Sequence, residues 1–360
     1  MSAAYDKAEY KPGFWAFMGV QFQGAFSDNL FKWVLIFLLL AGLGDDATIE
    51  SSGKIAAIAG MIFAIPYIIF PGIFGAMADR FSKQRVIMMT KMLEVGIMAV
   101  GGVAVYLANE PFLWIVLFLM DTQSEMFGPA KYGILPEGLP EERLSWGNGI
   151  MQMLTMVAVI AGTGIAGPVY AWLNGMEMVH ASSFILVGLA CVGVFMSLSV
   201  FKPAAANPHK ELTINPFAGM PDHFKAMFKD KWLGLAVVGY VYFWFAGALL
   251  QANIVPFGKV TLGLNETQLS IMQVALAMGI GLGAVAAGFL SRGKIEVGLI
   301  PLGALGMTVF CALLAMSAFS FNSVLLLLFC LGAAGGVFDV PLAATIQQRA
   351  PQWMRGGMLA

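Results

Sequence analysis

The chain has 360 residues, of which 59% are hydrophobic and 11% are charged, and its formal net charge is −1. A soluble domain carries roughly 25% charged residues, so this sequence has too few charges to cover the surface of a soluble fold. The near-zero net charge also excludes a general electrostatic attraction to nucleic acid. We therefore expect an all-α protein that crosses a membrane several times.

Continuous apolar runs follow one another along the chain, and most are long enough to cross a bilayer. A spanning helix needs about 20 apolar residues, and strands are not expected because the runs do not alternate with polar residues. The first run is too long for the apolar core of a cleavable signal peptide. The sequence predicts about ten spans, near 14–43, 53–78, 86–108, 111–133, 147–173, 180–201, 232–257, 268–290, 296–318 and 322–345.

The connections between these spans alternate in charge. Those after the even-numbered spans hold almost all the basic residues outside the spans, whereas the opposite connections are acidic apart from Lys54 and Lys259. Cytoplasmic loops of membrane proteins carry an excess of lysine and arginine. We therefore predict a multi-pass membrane protein with a cytoplasmic N-terminus and cytoplasmic even-to-odd connections.

The longest connection divides the chain into three predicted parts: a bundle over 1–201, a linker over 202–231 and a second bundle over 232–360. The later part of the linker, from Pro216 to Trp232, mixes aromatic residues with lysines in a pattern typical of an amphipathic helix on a membrane surface. The two bundles resemble a repeat. The second contains about four spans and the start of a fifth, which predicts a truncated chain or the front of a longer one.

A charged segment follows the second predicted span. It contains Gly75, Asp79, Arg80 and Arg85, and we predict that these four residues form a cytoplasmic gate. Glycine allows two helices to approach closely, and the acidic and basic side chains are able to link neighbouring helix ends.

Several charged residues lie at membrane depth, where each costs about 2.5–3.5 kcal/mol at a helix centre. Asp28 and Lys32 are four residues apart on the first span, so they share a helix face and are expected to neutralise each other. Asp121 and Glu125 have the same spacing on the fourth span, and such a carboxylate pair suggests proton coupling. Lys91, Glu94 and Asp339 are weaker candidates, for which packing between helices is the simpler interpretation.

Two sets of motifs resemble a known family. The segment from Gly75 to Arg85 resembles the cytoplasmic signature of the major facilitator superfamily, with Ser82 where that family usually has glycine. The segments 21–32, 128–137 and 146–149 look like the lysophospholipid transporter branch of that superfamily. The resemblance implies a fold of two six-helix bundles, with the second incomplete here. It also implies that the residues at 75–85 latch a conformation.

The resemblance further implies a carrier that moves lysophospholipids, chiefly lysophosphatidylethanolamine, to the cytoplasmic leaflet of a bacterial inner membrane. The residues it marks as functional are Asp28, Asn29, Lys32, Lys131 and Tyr132. Lys131 or Lys32 is expected to meet the phosphate of the head-group, and Asp28 or Glu125 its amine. The expected partners are the lysophospholipid, membrane lipids, protons and a cytoplasmic or fused acyltransferase/acyl-carrier-protein ligase.

Two alternatives remain open at this point. The same fold is able to move another small molecule, because a fold does not fix a function. The chain is also a candidate for the membrane portion of a fused acyltransferase whose enzyme lies beyond residue 360. Within this sequence the cysteines and histidines have no spacing typical of a catalytic or metal site, so neither an enzyme nor a cofactor is expected.

Overall fold

The computed structural model describes residues 10–44, 48–139, 141–205, 207–209, 227, 229–291, 296–316 and 320–349. These residues form helices joined by short connections. The helices are α1 (Tyr10–Ala41), α2 (Ile49–Ile69), α3 (Pro71–Arg80), α4 (Lys83–Leu107), α5 (Glu110–Gly138), α6 (Glu141–Gly175), α7 (Ser182–Leu198), α8 (Lys231–Pro256), α9 (Glu266–Ser291), α10 (Leu299–Ala315) and α11 (Phe321–Arg349). A 3-10 turn (Val179–Ala181) precedes α7, and a π-helical turn (Phe257–Thr261) follows α8.

Nine of the ten predicted spans each coincide with one α-helix, and the second covers both α2 and α3, which confirms the all-α membrane fold. Eight helices of the described residues are both long and apolar enough to cross a membrane. The other two are α10, which has 17 residues, and α5, which has 29 residues but polar side chains at its centre. The polar centre of α5 includes Asp121, Gln123 and Glu125, so a span of low hydropathy here marks a site where polar groups face the protein interior.

The second predicted span, 53–78, is wrong at its end, because the helix is interrupted at Phe70. Pro71 has no backbone N–H and cannot continue the hydrogen bonding of α2. It therefore ends α2 at Ile69 and starts α3, for which a proline in the first turn is favourable. The gate residues Gly75, Asp79 and Arg80 consequently lie on a separate short helix.

The chain divides into two compact units, Met1–Asp46 with Ala57–Pro216, and Ala47–Ala56 with Phe217–Ala360. Most of the predicted linker and its amphipathic helix lie outside the described residues, as do Arg292, Lys294 and residues 350–360. The predicted boundary at 202–231 therefore stays a prediction.

In the first unit α1 is the central helix and packs on α5, α6 and α7, while α4 packs on α5 and α7. Near one end of the unit, Phe14 and Phe17 of α1 lie in a buried apolar cluster with Ile134 and Leu135 of α5. Farther along α1, a Cβ atom at Gly162 of α6 would lie 2.6 Å from the carbonyl oxygen of Phe26. Glycine at 162 therefore allows α6 to reach the backbone of α1.

In the second unit α9 and α11 pack through two pairs of glycines. Gly279 and Gly283 are four residues apart on α9, and Gly332 and Gly336 have the same spacing on α11. A Cβ atom at Gly279 would lie 3.0 Å from the backbone nitrogen of Ala333, and one at Gly332 would lie 2.9 Å from that of Ile280. Both helices thus carry the small-xxx-small pattern that brings membrane helices into backbone contact. We call this contact the glycine seam.

Asp230 connects the start of α8 to the end of α11 in the same unit. One carboxylate oxygen accepts hydrogen bonds from the backbone N–H groups of Trp232 and Leu233, which caps α8. The other oxygen accepts a 2.9 Å hydrogen bond from Arg349. The hydrogen bond from Arg349 is the main reason that the pKa of Asp230 lies below its ordinary value.

We expect Asp230→Asn to lower the unfolding temperature slightly at neutral pH and not at acid pH. Asparagine is as good a cap as aspartate, so the variant loses the charge but retains the cap. Because the folded-state pKa is lowered, the charge stabilises the fold above the unfolded-state pKa and this contribution disappears as the pH falls through the folded-state pKa. Thermal unfolding in detergent from neutral to acid pH measures the difference, and a difference that is constant with pH contradicts the assignment.

Candidate functional site

The charged residues of α1 and α5 meet inside the first unit. Ser124 of α5 donates a 2.5 Å hydrogen bond through its hydroxyl to Oδ2 of Asp28 on α1. The other oxygen of Asp28, Oδ1, is buried and has no hydrogen-bond partner among the described residues. Asp121 is only 2% exposed, and its Oδ2 also lacks a partner. Two carboxylate oxygens that point into the protein without a partner are costly, and each is available to a cation.

Lys32 does not form the expected ion pair with Asp28, although the two share a helix face. Among the described residues, no carboxylate lies within 4.0 Å of its ammonium. The ammonium instead lies 5.3 Å from the centre of the Phe63 ring and 6.0 Å from that of Trp33. These are cation–π distances. The Lys32 side chain extends toward Phe63 of α2, whereas Asp28 is hydrogen-bonded to Ser124 of α5. The two charges point to different helices, and both therefore remain available to a ligand.

The side-chain amide of Asn29 is hydrogen-bonded within its own helix. Its Nδ2 donates a 2.8 Å hydrogen bond to the carbonyl oxygen of Ala25, one turn earlier in α1. Asn253 of α8 makes the same bond to Leu249 at 2.7 Å. The side-chain oxygen of Asn29 and the second N–H of its amide remain able to contact a substrate.

Lys131 and Tyr132 lie farther along α5 than the carboxylates. The Lys131 ammonium is 4.7 Å from the centre of the Tyr132 ring, and Tyr132 is 58% exposed. Glu125 is buried at 7% exposure, and no ion pair connects it to Lys131 within the described part of the chain. These residues therefore supply one carboxylate and one accessible cation along the same helix.

A buried polar network lies beside Asp28, and the sequence analysis did not predict it as a site. Lys91 and Glu94 of α4 form a 2.7 Å ion pair, with their side chains 2% and 1% exposed. Gln23 of α1 joins them, because its Oε1 accepts from Lys91 at 2.9 Å and its Nε2 donates to Glu94 at 2.7 Å. The same Nε2 lies 2.9 Å from the hydroxyl of Ser27. The sequence signal that could have indicated this network is a lysine and a glutamate three residues apart within an apolar span.

Three of the predicted gate residues, Gly75, Asp79 and Arg80, lie on α3, and Arg85 lies in the first turn of α4. A Cβ atom at Gly75 would meet no atom within 4 Å, so this structure shows no close helix approach at this glycine, and the gate stays a prediction. The backbone oxygen of Asp79 accepts a 2.8 Å hydrogen bond from the N–H of Asn207. Arg80 and Arg85 are exposed.

A nearby ion pair, which the sequence analysis did not single out, connects Lys83 at the start of α4 to Glu137 near the end of α5. The Lys83 side chain is 5% exposed and that of Glu137 is 27% exposed. The pair joins α4 to α5 close to the segment predicted to form the gate.

The second unit contains less polar chemistry in its described residues. Asp339 of α11 has a buried Oδ1 without a hydrogen-bond partner. A cavity of 360 Å³ lies elsewhere in this unit, and its walls are apolar apart from Asn253 and Thr261. The lining residues are Ile49, Leu250, Asn253, Ile254, Pro256, Phe257, Thr261, Met272, Leu314, Ala315 and Leu328. No charged residue lines this cavity, so it does not resemble a head-group site.

Comparisons with solved structures agree with this architecture. A bacterial homologue of the human lysosomal transporter Spinster, in an inward-facing and unoccupied conformation, has a TM-score of 0.69 at 15% identity, with 99% of this chain and 79% of that chain covered. A POT family transporter in complex with a thioalcohol-conjugated peptide has a TM-score of 0.70 at 16% identity, with 96% and 86% covered. At these identities the likeness concerns the fold alone.

Sequence comparisons are more specific. The lysophospholipid transporter LplT of Photorhabdus laumondii is 30% identical over 336 residues, which cover 92% of this chain and 79% of the relative. The protein of the same name from Escherichia fergusonii is 29% identical over 354 residues, with 97% and 83% covered. A model of the Major Facilitator Superfamily matches residues 22–360. The chain therefore belongs to the Major Facilitator Superfamily, in the branch that contains these lysophospholipid transporters.

Proposed function

We propose that this protein moves lysophospholipid across the bacterial inner membrane to the cytoplasmic leaflet, with its N-terminus in the cytoplasm. Relatives named for lysophospholipid transport match along nearly the whole chain, and this favours a lipid cargo over a drug, sugar or peptide. The alternation of charge between the predicted loops supports the orientation. Movement of the substrate by alternating access is the mechanism that this superfamily suggests.

The observation that carries the proposal is the arrangement of unpaired charges around Asp28. A zwitterionic head-group brings a phosphate and an ammonium into the membrane protein together. Asp28 and Asp121 each offer a carboxylate oxygen without a hydrogen-bond partner among the described residues. Lys32 offers an ammonium that lies near the Phe63 and Trp33 rings and forms no ion pair within the same residues. Separate, unpaired charges of opposite sign are costly in a membrane, and a zwitterionic ligand satisfies both.

The remaining site residues have secondary roles in this proposal. Lys131 meets the phosphate at a second position on α5, beside Glu125 and Tyr132, and Asn29 offers its side-chain oxygen. The segment with Gly75, Asp79, Arg80 and Arg85 acts as a cytoplasmic gate. Proton coupling through Asp121 and Glu125, contacts with membrane lipids, and delivery of the substrate to a cytoplasmic or fused acyltransferase belong to the same proposal.

Uptake by spheroplasts that lack their own lysolipid transport tests the function. Cells that express the chain receive labelled lysophosphatidylethanolamine outside, with the cytoplasmic acylating enzyme supplied, and formation of diacyl lipid is measured. We expect uptake to rise with expression and to fall about tenfold in Asp28→Asn, as expected for the loss of one charge-assisted contact.

The matched control is Glu110→Gln, an acid-to-amide change at the exposed start of α5, where Glu110 accepts a 3.2 Å hydrogen bond from Trp114. We expect this variant to transport at the wild-type rate. Absence of uptake from well-expressed, correctly inserted wild-type protein contradicts the lysophospholipid assignment. Equal uptake by wild type and Asp28→Asn removes Asp28 from the pathway.

A further inference from the structure

In the buried network of Gln23, Lys91 and Glu94, both carboxylate oxygens and both polar atoms of the amide have hydrogen-bond partners, whereas one oxygen of the neighbouring Asp28 has none among the described residues. Both oxygens of Glu94 accept hydrogen bonds, and the oxygen and nitrogen of the Gln23 amide are both used. The network contains one positive and one negative charge, so it is neutral. Asp28, in contrast, has one neutral partner, Ser124, and one oxygen without any partner among the described residues.

The Lys91 ammonium lies very close to the turn of α1 that Asp28 covers. A Cβ atom at Gly24 would lie 2.6 Å from Nζ of Lys91. Gly24 and Asp28 are four residues apart and therefore lie on the same face of α1, separated by one turn of about 5.4 Å. A long side chain such as that of Lys91 is able to cover this distance by changing rotamer.

Two glycines leave room for the Lys91 side chain in this position. Besides Gly24 on α1, Gly193 on α7 leaves room for the network, because a Cβ atom there would lie 2.9 Å from Cδ of Gln23 and 3.2 Å from Cδ of Lys91. The network is thus enclosed by α1, α4 and α7. Within it, Glu94 is the group that holds the charge of Lys91, since the Gln23 amide is neutral.

We propose that Glu94 holds Lys91 away from Asp28, so that Asp28 stays free to bind the ammonium of a lipid head-group. Glu94 is in this sense a positioning residue for head-group selectivity. Without Glu94, Lys91 turns to Asp28, the carboxylate one turn beyond Gly24 on that face of α1, and replaces the substrate cation there. This inference rests on the proposed function, and it adds a determinant that touches no substrate.

Transport of two lysolipids that differ in the amine tests this role. Spheroplasts that express the wild type, Glu94→Gln or Lys91→Met/Glu94→Gln take up lysophosphatidylethanolamine or lysophosphatidylglycerol, whose glycerol head-group has no amine. We expect Glu94→Gln to lower the ratio of ethanolamine to glycerol lipid uptake about tenfold. The double variant, in which no lysine competes for Asp28, is expected to restore the wild-type ratio.

The control is Gln21→Leu, two residues before Gln23 on the same helix. Gln21 is also buried, and its Nε2 donates a 2.7 Å hydrogen bond to Thr155 on α6, away from Asp28. A purely structural role for Glu94 predicts that both lipids lose transport equally in Glu94→Gln and in Gln21→Leu, and this result overturns the proposal. Wild-type protein that transports neither lipid contradicts the proposed function instead.

A stability measurement tests the inference without any substrate. Thermal unfolding in detergent is followed for the wild type, Asp28→Asn, Glu94→Gln and the double variant Asp28→Asn/Glu94→Gln. If Lys91 pairs with Asp28 once Glu94 is neutral, Asp28→Asn lowers the unfolding temperature more in the Glu94→Gln background than in the wild type. Additive effects of the two substitutions overturn the proposal.

Discussion

Replacing Gly283 by leucine is expected to prevent the second unit from folding. A Cβ atom at Gly283 would already lie 2.7 Å from the Cα atom of Ala333, and the obstacle is backbone, which no change of rotamer removes. Inserting a larger side chain into a packed interior costs roughly 1–3 kcal/mol where side chains are able to adjust. Here α9 has to separate from α11, which breaks the glycine seam along its length.

Gly281 provides the matched control on the same helix. It lies two residues before Gly283, and a Cβ atom at Gly281 would meet nothing within 4 Å. Gly281→Leu is therefore expected to fold and to show the wild-type profile. Size-exclusion chromatography of the solubilised protein measures the fraction that is folded and monodisperse. Normal behaviour of Gly283→Leu would show that the two helices are not in backbone contact.

Replacing Lys91 by methionine is expected to destabilise the first unit by about 3–5 kcal/mol, the usual cost of breaking a buried ion pair by removal of one partner. Methionine fills similar space, but it leaves the carboxylate of Glu94 buried without its counter-charge. The Gln23 amide alone has only one N–H group directed at Glu94. Thermal or denaturant unfolding in detergent measures this loss.

The control is Lys259→Met, which removes a lysine from a more exposed ion pair. Lys259 and Glu266 are 2.9 Å apart, with side chains 28% and 21% exposed, so this variant is expected to lose no more than about 1 kcal/mol. Adding Glu94→Leu to Lys91→Met is expected to recover much of the stability, because no charge then remains unpaired in the network. Equal losses for Lys91→Met and Lys259→Met are inconsistent with a buried pair.

Much of the helical architecture follows from apolar run length alone. Even the break at Phe70 has a visible sequence signal, since Pro66 and Pro71 lie inside the predicted second span and each interrupts helical hydrogen bonding. The length of the apolar run did not predict the interruption between α2 and α3, because the residues on both sides of Phe70 are apolar. Proline position, not hydropathy, decides where α2 ends.

The site was predictable in part. Charges at membrane depth identified Asp28, Lys32 and Asp121, and the structure brings α1 and α5 together around them. Spacing within one helix did not predict that Lys32 extends toward Phe63, because the choice depends on which neighbouring helix faces it. The contact between Gln23 and Lys91 joins residues 68 positions apart, and only the packing of α7 on both α1 and α4 brings them together.

The glycine seam also has a mechanical consequence. Helices separated by side chains are able to slide, since rotamers adjust as the surfaces shift, but α9 and α11 touch through backbone atoms that have no such freedom. We therefore expect α9 and α11 to move together as one rigid unit. Bending during a transport cycle then falls on positions where regular helical bonding is already interrupted, namely the π-helical turn at Phe257–Thr261 in the second unit and Phe70 in the first.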